Sequence, residues 1–249
     1  MTMHAASQTR LDPRENGPRG HSNGGFACGT FAGLVGGTAE VRLLAKVPLG
    51  VDLAVDVEGP TAKVGRHDRV LATVRATEPF VSAPPVVPTF DEAAAARLNH
   101  PFRAVTHPLS TCVVCGPRRS DGLAVTPGPL DSDADVLATP FVPTEAFAPE
   151  GQVRDEVLWG ALDCPSYPAA AMRSGAFCLL GSLEAHVRRR VDVGERLVVV
   201  GWTREAGNRA TRTASAMIDE TGDVVASARA VWVAVRHQRV ARAVARLRA

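Results

Sequence analysis

Charge of one sign is what this sequence lacks first. Its 28 lysines and arginines face 26 aspartates and glutamates, for a formal net charge of +2. A broad basic field for nucleic acid is therefore excluded, and no nucleic-acid partner is expected. No apolar run reaches the ~18 residues of a membrane span, and Met1 to Gly20 has no apolar stretch of the signal-peptide kind. No membrane partner and a cytoplasmic location are expected. Aromatics are few, at 5% of the 249 residues, and small residues are common instead. The five cysteines, Cys28, Cys112, Cys115, Cys164 and Cys178, are odd in number in a chain that is not small. That argues against a disulfide framework and for reduced thiols. There is no Gly-x-Ser-x-Gly elbow and no Walker or Rossmann glycine pattern. An α/β-hydrolase is disfavoured, and no cofactor is expected.

What is present is ordinary for a soluble globular chain: 45% apolar and 22% charged residues, enough for a sizeable core. The length suits one or two domains. Residues 1–20 read as coil or a short strand. From Asn23 the text turns small and apolar through Val35. This predicts a buried helix with Asn23 as N-cap, because its side-chain oxygen can accept from a free backbone N–H. Several glycines in such a helix cost about 1 kcal/mol each against alanine, so something must approach its backbone closely, either another element or a ligand.

Alternating strands follow at Glu40–Val47, Val51–Val57, Thr61–Val64 and Val70–Ala76, with a turn at Pro48-Leu49-Gly50. Residues 79–89 hold four prolines and read as a linker, and Asp91–Leu98 as a short helix. Residues 99–122 are irregular. Strand signals return at Leu123–Thr126 and Val136–Phe141. A second helix spans about Arg154 to Leu162 and resumes beyond Pro165. Then the first pattern recurs as a strand at Glu184–Val191, a turn at Asp192-Val193-Gly194 and a strand at Glu195–Val200. At one constant offset Glu40 falls on Glu184, Leu43 on Val187, Val47 on Val191, Gly50 on Gly194 and Leu53 on Leu197. Leu71–Ala76 falls on Val225–Ala230 after a longer hairpin. A repeated helix, strand, turn, strand, hairpin marks a duplicated domain.

Each unit offers one apolar helix and about four antiparallel strands. A sheet with one apolar face must bury it, and a helix with few charges must be surrounded. Wrapping the sheet around the helix meets both needs, and joining two units edge to edge hides two exposed strand edges. The fold class expected is α+β, two antiparallel sheets each wrapped around a central helix and joined in one continuous curved sheet. The expected organisation is an N-terminal unit at 1–88, a linker with a short helix and the CxxC loop at 89–122, a C-terminal unit at 123–236 and a basic tail at 237–249. A monomer and a homodimer are both compatible with it.

Four stretches carry a resemblance: HSNGGFACGTFAGL (21–34), VRLLAKVPLGVDLAVDVEG (41–59), HPLSTCVVCGPRRSDGLAVTPGPL (107–130) and VLWGALDCPS (157–166). In this order they resemble thioesterase-like hotdog proteins of the actinobacterial type, similar to the double-hotdog acyl-CoA thioesterase II family, over about residues 10–235. The resemblance implies an acyl-CoA or other acyl thioester as partner, lying between the two units. It implies a helix-borne carboxylate that activates water, and a helix-start N–H that polarises the carbonyl, as developing oxyanion charge requires.

Asp163 resembles the family's aspartate; otherwise it caps a helix restarting at Pro165. Asn23, Gly24 and Gly25 fall at the first unit's helix start and are expected to bind substrate, unless they only cap a tightly packed helix. Trp159, on the second helix, is expected to bind substrate with them. The family adds a late-strand glutamine and a hydroxyl residue. Here the late strand reads Ala228-Arg229-Ala230-Val231-Trp232-Val233, without glutamine. Gln152, just before the second helix, is the expected substitute, and Thr211, Thr213 and Ser215 are the hydroxyl candidates. A dehydratase-like or non-hydrolytic acyl-thioester binder is the alternative, and a hydratase would need His21 or His186 at Asp163.

Cys112 and Cys115, with His100 and His107 upstream in a Pro-flanked loop, could supply the four ligands of a zinc site, and a redox dithiol lacks a thioredoxin-like βαβ context. They are read as structural thiols, and no metal is expected. Lys63, Arg66 and Arg188–Arg190 could meet coenzyme A phosphates or form a solvated strand edge.

Overall fold

The computed structural model describes residues 7–104, 107, 109–148, 151–236 and 238. The basic tail expected at 237–249 lies outside them, apart from Gln238. Fifteen regular elements follow one another along the chain. They are β1 (Ser7–Thr9), α1 (Gly24–Ala32), β2 (Ala39–Leu43), β3 (Leu53–Glu58), β4 (Thr61–Arg66), β5 (Arg69–Ala76), α2 (Phe90–Leu98) and β6 (Gly128–Pro129). After these come β7 (Val136–Phe141), α3 (Asp155–Asp163), α4 (Ala169–Ser174), β8 (Cys178–Val187), β9 (Leu197–Ala206), β10 (Ala210–Ile218) and β11 (Val224–Ala234). Among the described residues no helix is long and apolar enough to cross a membrane.

All strands join one sheet in the order β1-β3-β4-β5-β2-β8-β11-β10-β9-β7-β6. The duplication is visible in that order. The first unit contributes a strand, a central helix and four more strands, the second does the same with the short β6 added before its leading strand β7, and the first post-helix strand of each lies at the middle of the sheet. There β2 pairs antiparallel with β8, placing Glu40 opposite Glu184, Ala39 opposite Ala185 and Val41 opposite Leu183. Glu40 and Glu184 are the residues that the sequence offset superposes. A position that meets its own equivalent marks a self-complementary, two-fold-like seam. The neighbouring register repeats as well: Glu40 opposes Arg75 and Glu184 opposes Arg229.

Period-two burial explains the faces. On β2, Ala39 and Val41 point to the core while Glu40 and Arg42 point away. Two glutamates facing one another across the seam repel. The Arg75 guanidinium at 2.8 Å and Arg42 at 3.1 Å from Glu40 offset this on one side, and Arg229 at 3.7 Å from Glu184 on the other. The inner side of the seam is sealed by Val41 and Leu183, both 0% exposed. Because both units bury surface there, Leu183→Ala is expected to cost about 2–5 kcal/mol. In urea it should lower one shared unfolding transition; two separated transitions would show that the halves fold independently.

The helices α1 and α3 pack antiparallel beneath the sheet. A Cβ on Gly25 would stand 2.6 Å from both Asp163 Cβ and Trp159 O, and one on Gly29 would stand 2.5 Å from Glu156 Cα. A Cβ on Gly160 would meet the Phe26 ring at 2.6 Å. The element demanded by the glycines of α1 is thus the second unit's helix. Asn23 caps α1 as expected, its Oδ1 accepting from Phe26 N–H at 3.0 Å.

Several expectations are corrected. Leu123–Thr126 is no strand: Leu123 and Val125 donate to the carbonyls of Val113 and Val114 in the loop beneath α1 and α3. The strand expected at Glu184–Val191 begins at Cys178 and ends at Val187, because pairing with β11 sets its length, Cys178 opposing Ala234 and Val187 opposing Ala226. The strand expected at Glu40–Val47 stops at Leu43, after which the Val47 carbonyl accepts from Ser22 N–H. The proline-rich stretch at 79–89 lies on the outer face of the sheet. Phe80 stacks under Arg229 at 4.0 Å, Ser82 N–H donates to buried Ser227, and Val86 and Phe90 join a second apolar cluster with Ala93, Val198 and Val200.

Candidate active site

The end of α3 meets the start of α1, and this junction of the two units holds Asp163. Its carboxylate is 3% exposed. Oδ2 accepts from Gly25 N–H at 3.0 Å and from Asn23 Nδ2 at 3.1 Å, while Oδ1 is buried without a hydrogen-bond partner. The side chain does not cap the turn that follows it at Cys164–Ser166; it caps the helix of the other unit. Both N–H donors and the positive end of α1 favour a negative charge there. Burial works the other way and dominates, pushing the carboxyl up from its ordinary value to about 7, against the lowering effect of the Gly25 N–H.

Gly24, at the first position of α1, has no intrahelical acceptor for its N–H. A Cβ at Gly24 would stand 3.4 Å from Asp163 Oδ2 and 2.8 Å from Leu180 Cδ2, so its backbone lies between the carboxylate and a half-buried leucine of β8. Trp159, 1% exposed, sits one turn before Asp163. Its carbonyl faces Gly25, 2.6 Å from where a Cβ would stand there. It also borders an open groove of ≈ 400 Å³ at the other end of the helix pair, lined with Gly29, Thr30, Asp155 and Glu156.

Asn23, Gly24, Gly25, Trp159 and Asp163 are therefore brought together. Gln152 is not. It precedes α3, whose nine residues span about 13 Å, and its side chain accepts from Arg190, with its backbone bridged to Asp192. Of the hydroxyl candidates, Ser215 donates to Leu162 O at 2.7 Å from a fully buried position and so tethers the last turn of α3. Thr213 is buried without a partner, and Thr211 lies on the same strand toward its exposed end. His21 bridges to Pro48, and His186 faces Thr38 and Phe80 on the outer side of the sheet; neither contacts Asp163. Arg188 binds Val224 O, Arg189 pairs with Glu195 and Asp219, and Lys63 lies exposed on β4.

Two features leave no pattern in the sequence. Ser166, fully buried, donates to Asp163 O at 2.7 Å and accepts from Trp232 Nε1 at 3.0 Å, so β11 braces the backbone that carries the carboxylate. The resumption of the helix after Pro165 hinted at such a turn, but nothing in the spacing pointed to Trp232. Ser166→Ala is expected to strand the Trp232 N–H at a cost of about 1–3 kcal/mol, read as a lowered midpoint in urea. Trp232→Phe, which removes both need and donor, should cost less. The second feature is a third thiol: Cys164 stands with Cys112 and Cys115, their sulfurs all within 4.8 Å. His100, bound to Pro127 O, and His107 are outside that cluster.

No family model matches this chain, and none of the curated proteins does. Solved structures do. A tesB protein of Mycobacterium avium subsp. paratuberculosis superimposes with a TM-score of 0.56 at 11% identity, over 94% of this chain and 95% of the other. The fold is a double hotdog. A proposed thioesterase II from Thermobifida fusca YX gives 0.55 at 14% identity over 92% of each chain. A hot dog protein of unknown function from Alicyclobacillus acidocaldarius gives 0.52 at 10% identity, covering 94% and 95%. Near-complete coverage in both directions matches the whole eleven-stranded sheet of this double hotdog rather than one half of it. At these identities the likeness speaks for the fold alone.

Proposed function

We propose that this double hotdog hydrolyses an acyl thioester, acyl-CoA being the substrate class, with Asp163 as general base. The observation that carries the reading is the junction itself: a buried carboxylate with one unpartnered oxygen, capping the N-terminus of the opposite unit's helix beside the unused Gly24 N–H. Water held at Oδ1 would give its proton to Asp163 as its oxygen attacks the thioester carbonyl. The Gly24 N–H, unused within α1, is the donor for the oxyanion that forms. Collapse of the tetrahedral intermediate breaks the carbon–sulfur bond, and the proton passes from Asp163 to the leaving thiolate. Leu180 covers Gly24, so the acyl chain enters by displacing it. A carboxyl whose burial holds it near neutrality suits both receiving and returning the proton.

The test is release of free thiol from acyl-CoAs of graded chain length. Release by wild type that falls sharply in Asp163→Asn supports the reading. Acyl-CoA binding without release would favour a non-hydrolytic carrier, and equal rates in both proteins would remove Asp163 as base. The placement of His21 and His186 away from the carboxylate speaks against the hydratase alternative.

A further inference from the structure

We propose that Cys112, Cys115 and Cys164 form a binding site for a thiophilic divalent ion of the Zn²⁺ class, with Asp163 or a water it holds at the fourth position. The site lies beside the proposed catalytic carboxylate, but the inference does not depend on hydrolysis. Three sulfurs from two distant segments converge within 4.8 Å of one another. Tetrahedral zinc with bonds of about 2.3 Å needs sulfurs about 3.8 Å apart, so displacements of about 1 Å or less complete the triangle.

The loop is shaped for this. The Cys115 and Cys164 thiols and the backbone N–H groups of Cys115 and Val114 are all directed at the Cys112 sulfur. Such a turn rings one sulfur with donors, and a soft cation can replace the S–H protons among them. The turn is tight: a Cβ on Gly116 would stand 2.6 Å from both Cys112 N and Cys112 O. It is also pinned. Val113 N–H donates to Asn16 O at 2.7 Å, and the Arg119 guanidinium, 11% exposed, binds Arg14 O at 2.7 Å and Thr111 O at 3.3 Å. A pre-positioned ligand set of this kind loses little on binding.

The Asp163 carboxylate stands beside the three sulfurs rather than among them, so a water between them is the simpler fourth ligand. Asn23 Nδ2, 3.1 Å from Asp163 Oδ2, is also 3.8 Å from Cys112 Sγ and 4.0 Å from Cys164 Sγ. One amide thus links the carboxylate to the cluster, and Asp163 Oδ1 is buried and unpartnered. Binding M²⁺ displaces the thiol protons to solvent and leaves a net negative centre. The N-terminus of α1, the Asn23 amide and the Cys115 and Val114 N–H groups compensate it. The sequence spacing shows only Cys112 and Cys115; Cys164 joins them because the second unit's helix ends against the first unit's helix start. A two-thiol redox pair explains neither the third sulfur nor the donors around Cys112.

The test is metal content of the full chain, purified under reducing conditions with added Zn²⁺. About one zinc per chain is expected. It should fall at least tenfold in Cys112→Ser and in Cys164→Ser and be unchanged in Cys178→Ser, whose thiol lies outside the cluster. Equal content in wild type and Cys112→Ser would overturn the proposal, as would an intact mass two units below the fully reduced chain, which would mean a disulfide. Should the serine variants not fold, wild type alone decides. Chelation by a chromogenic dye should release zinc and expose three further thiols to a disulfide reagent, and exposure without zinc release would overturn the site. Replacement by Co²⁺ should give thiolate-to-metal absorption, with bands that shift in Asp163→Asn. Unshifted bands would remove Asp163 from the fourth position.

Discussion

Replacing Asp163 by asparagine should leave a folded protein whose kcat for acyl-CoA hydrolysis is lower by about 10²–10⁴-fold, the range a positioned general base supplies. Asparagine keeps an oxygen that can accept from Gly25 N–H and Asn23 Nδ2, now 3.0 and 3.1 Å from Asp163 Oδ2. The junction of the two helices is therefore preserved, while the ability to take a proton from water is lost. Alanine is a different experiment. It strands two buried donors, at about 1–3 kcal/mol each, and also removes a carboxylate that burial disfavours, so stability and activity change together. Comparing the two separates chemistry from architecture. An Asn variant with near-normal kcat would dismiss the base, whereas an Asn variant that unfolds like the Ala variant would mean that the negative charge itself holds the helix start.

Gly25→Ala should be among the most damaging single-methyl additions available to this chain. The new Cβ would lie 2.6 Å from Trp159 O and 2.6 Å from Asp163 Cβ, both parts of a buried helix that cannot step back without lifting off the sheet. Overpacking of this kind usually costs about 1–3 kcal/mol and sometimes more. Here two contacts are violated at once, so the upper end or outright failure to fold is expected. Gly33→Ala is the matched control. It lies one residue beyond α1, with right-handed backbone angles and nothing within 4 Å of its Cβ, so it should be neutral or stabilising by up to about 1 kcal/mol. Thermal unfolding of the pair measures the contrast. Equal midpoints would show that α1 and α3 are not in the close contact described.

The glycine pattern also shows how far the sequence could be read. Gly25 and Gly29 announced that something approaches the α1 backbone, but periodicity could not say whether it was an element or a ligand. The answer, Trp159 and Glu156 of α3, required the fold. The constant offset relating Glu40 to Glu184 was legible because duplication conserves turn glycines and strand spacing. That these two residues would face each other across the seam is a matter of which strand edges join. Strand ends are not legible where local alternation and tertiary pairing disagree. Cys178–Gly181 lacks a clear alternation, yet it is strand because β11 continues beside it. Leu123–Thr126 alternates, yet it pairs with a loop.

By itself, then, the sequence determined that two like units of one helix and four antiparallel strands exist, where each helix starts, and that Asp163 stands at the end of the second. These are local facts, written in periodicity, caps and turn residues. Only the tertiary structure decided that Asp163 caps the opposite helix, that Gln152 is held by Arg190 away from it, that Ser166 and Trp232 brace it, and that Cys164 joins Cys112 and Cys115. Each of these is a contact between residues far apart in the chain. Such contacts are fixed by how two buried helices pack beneath a shared sheet, and no local pattern records that packing.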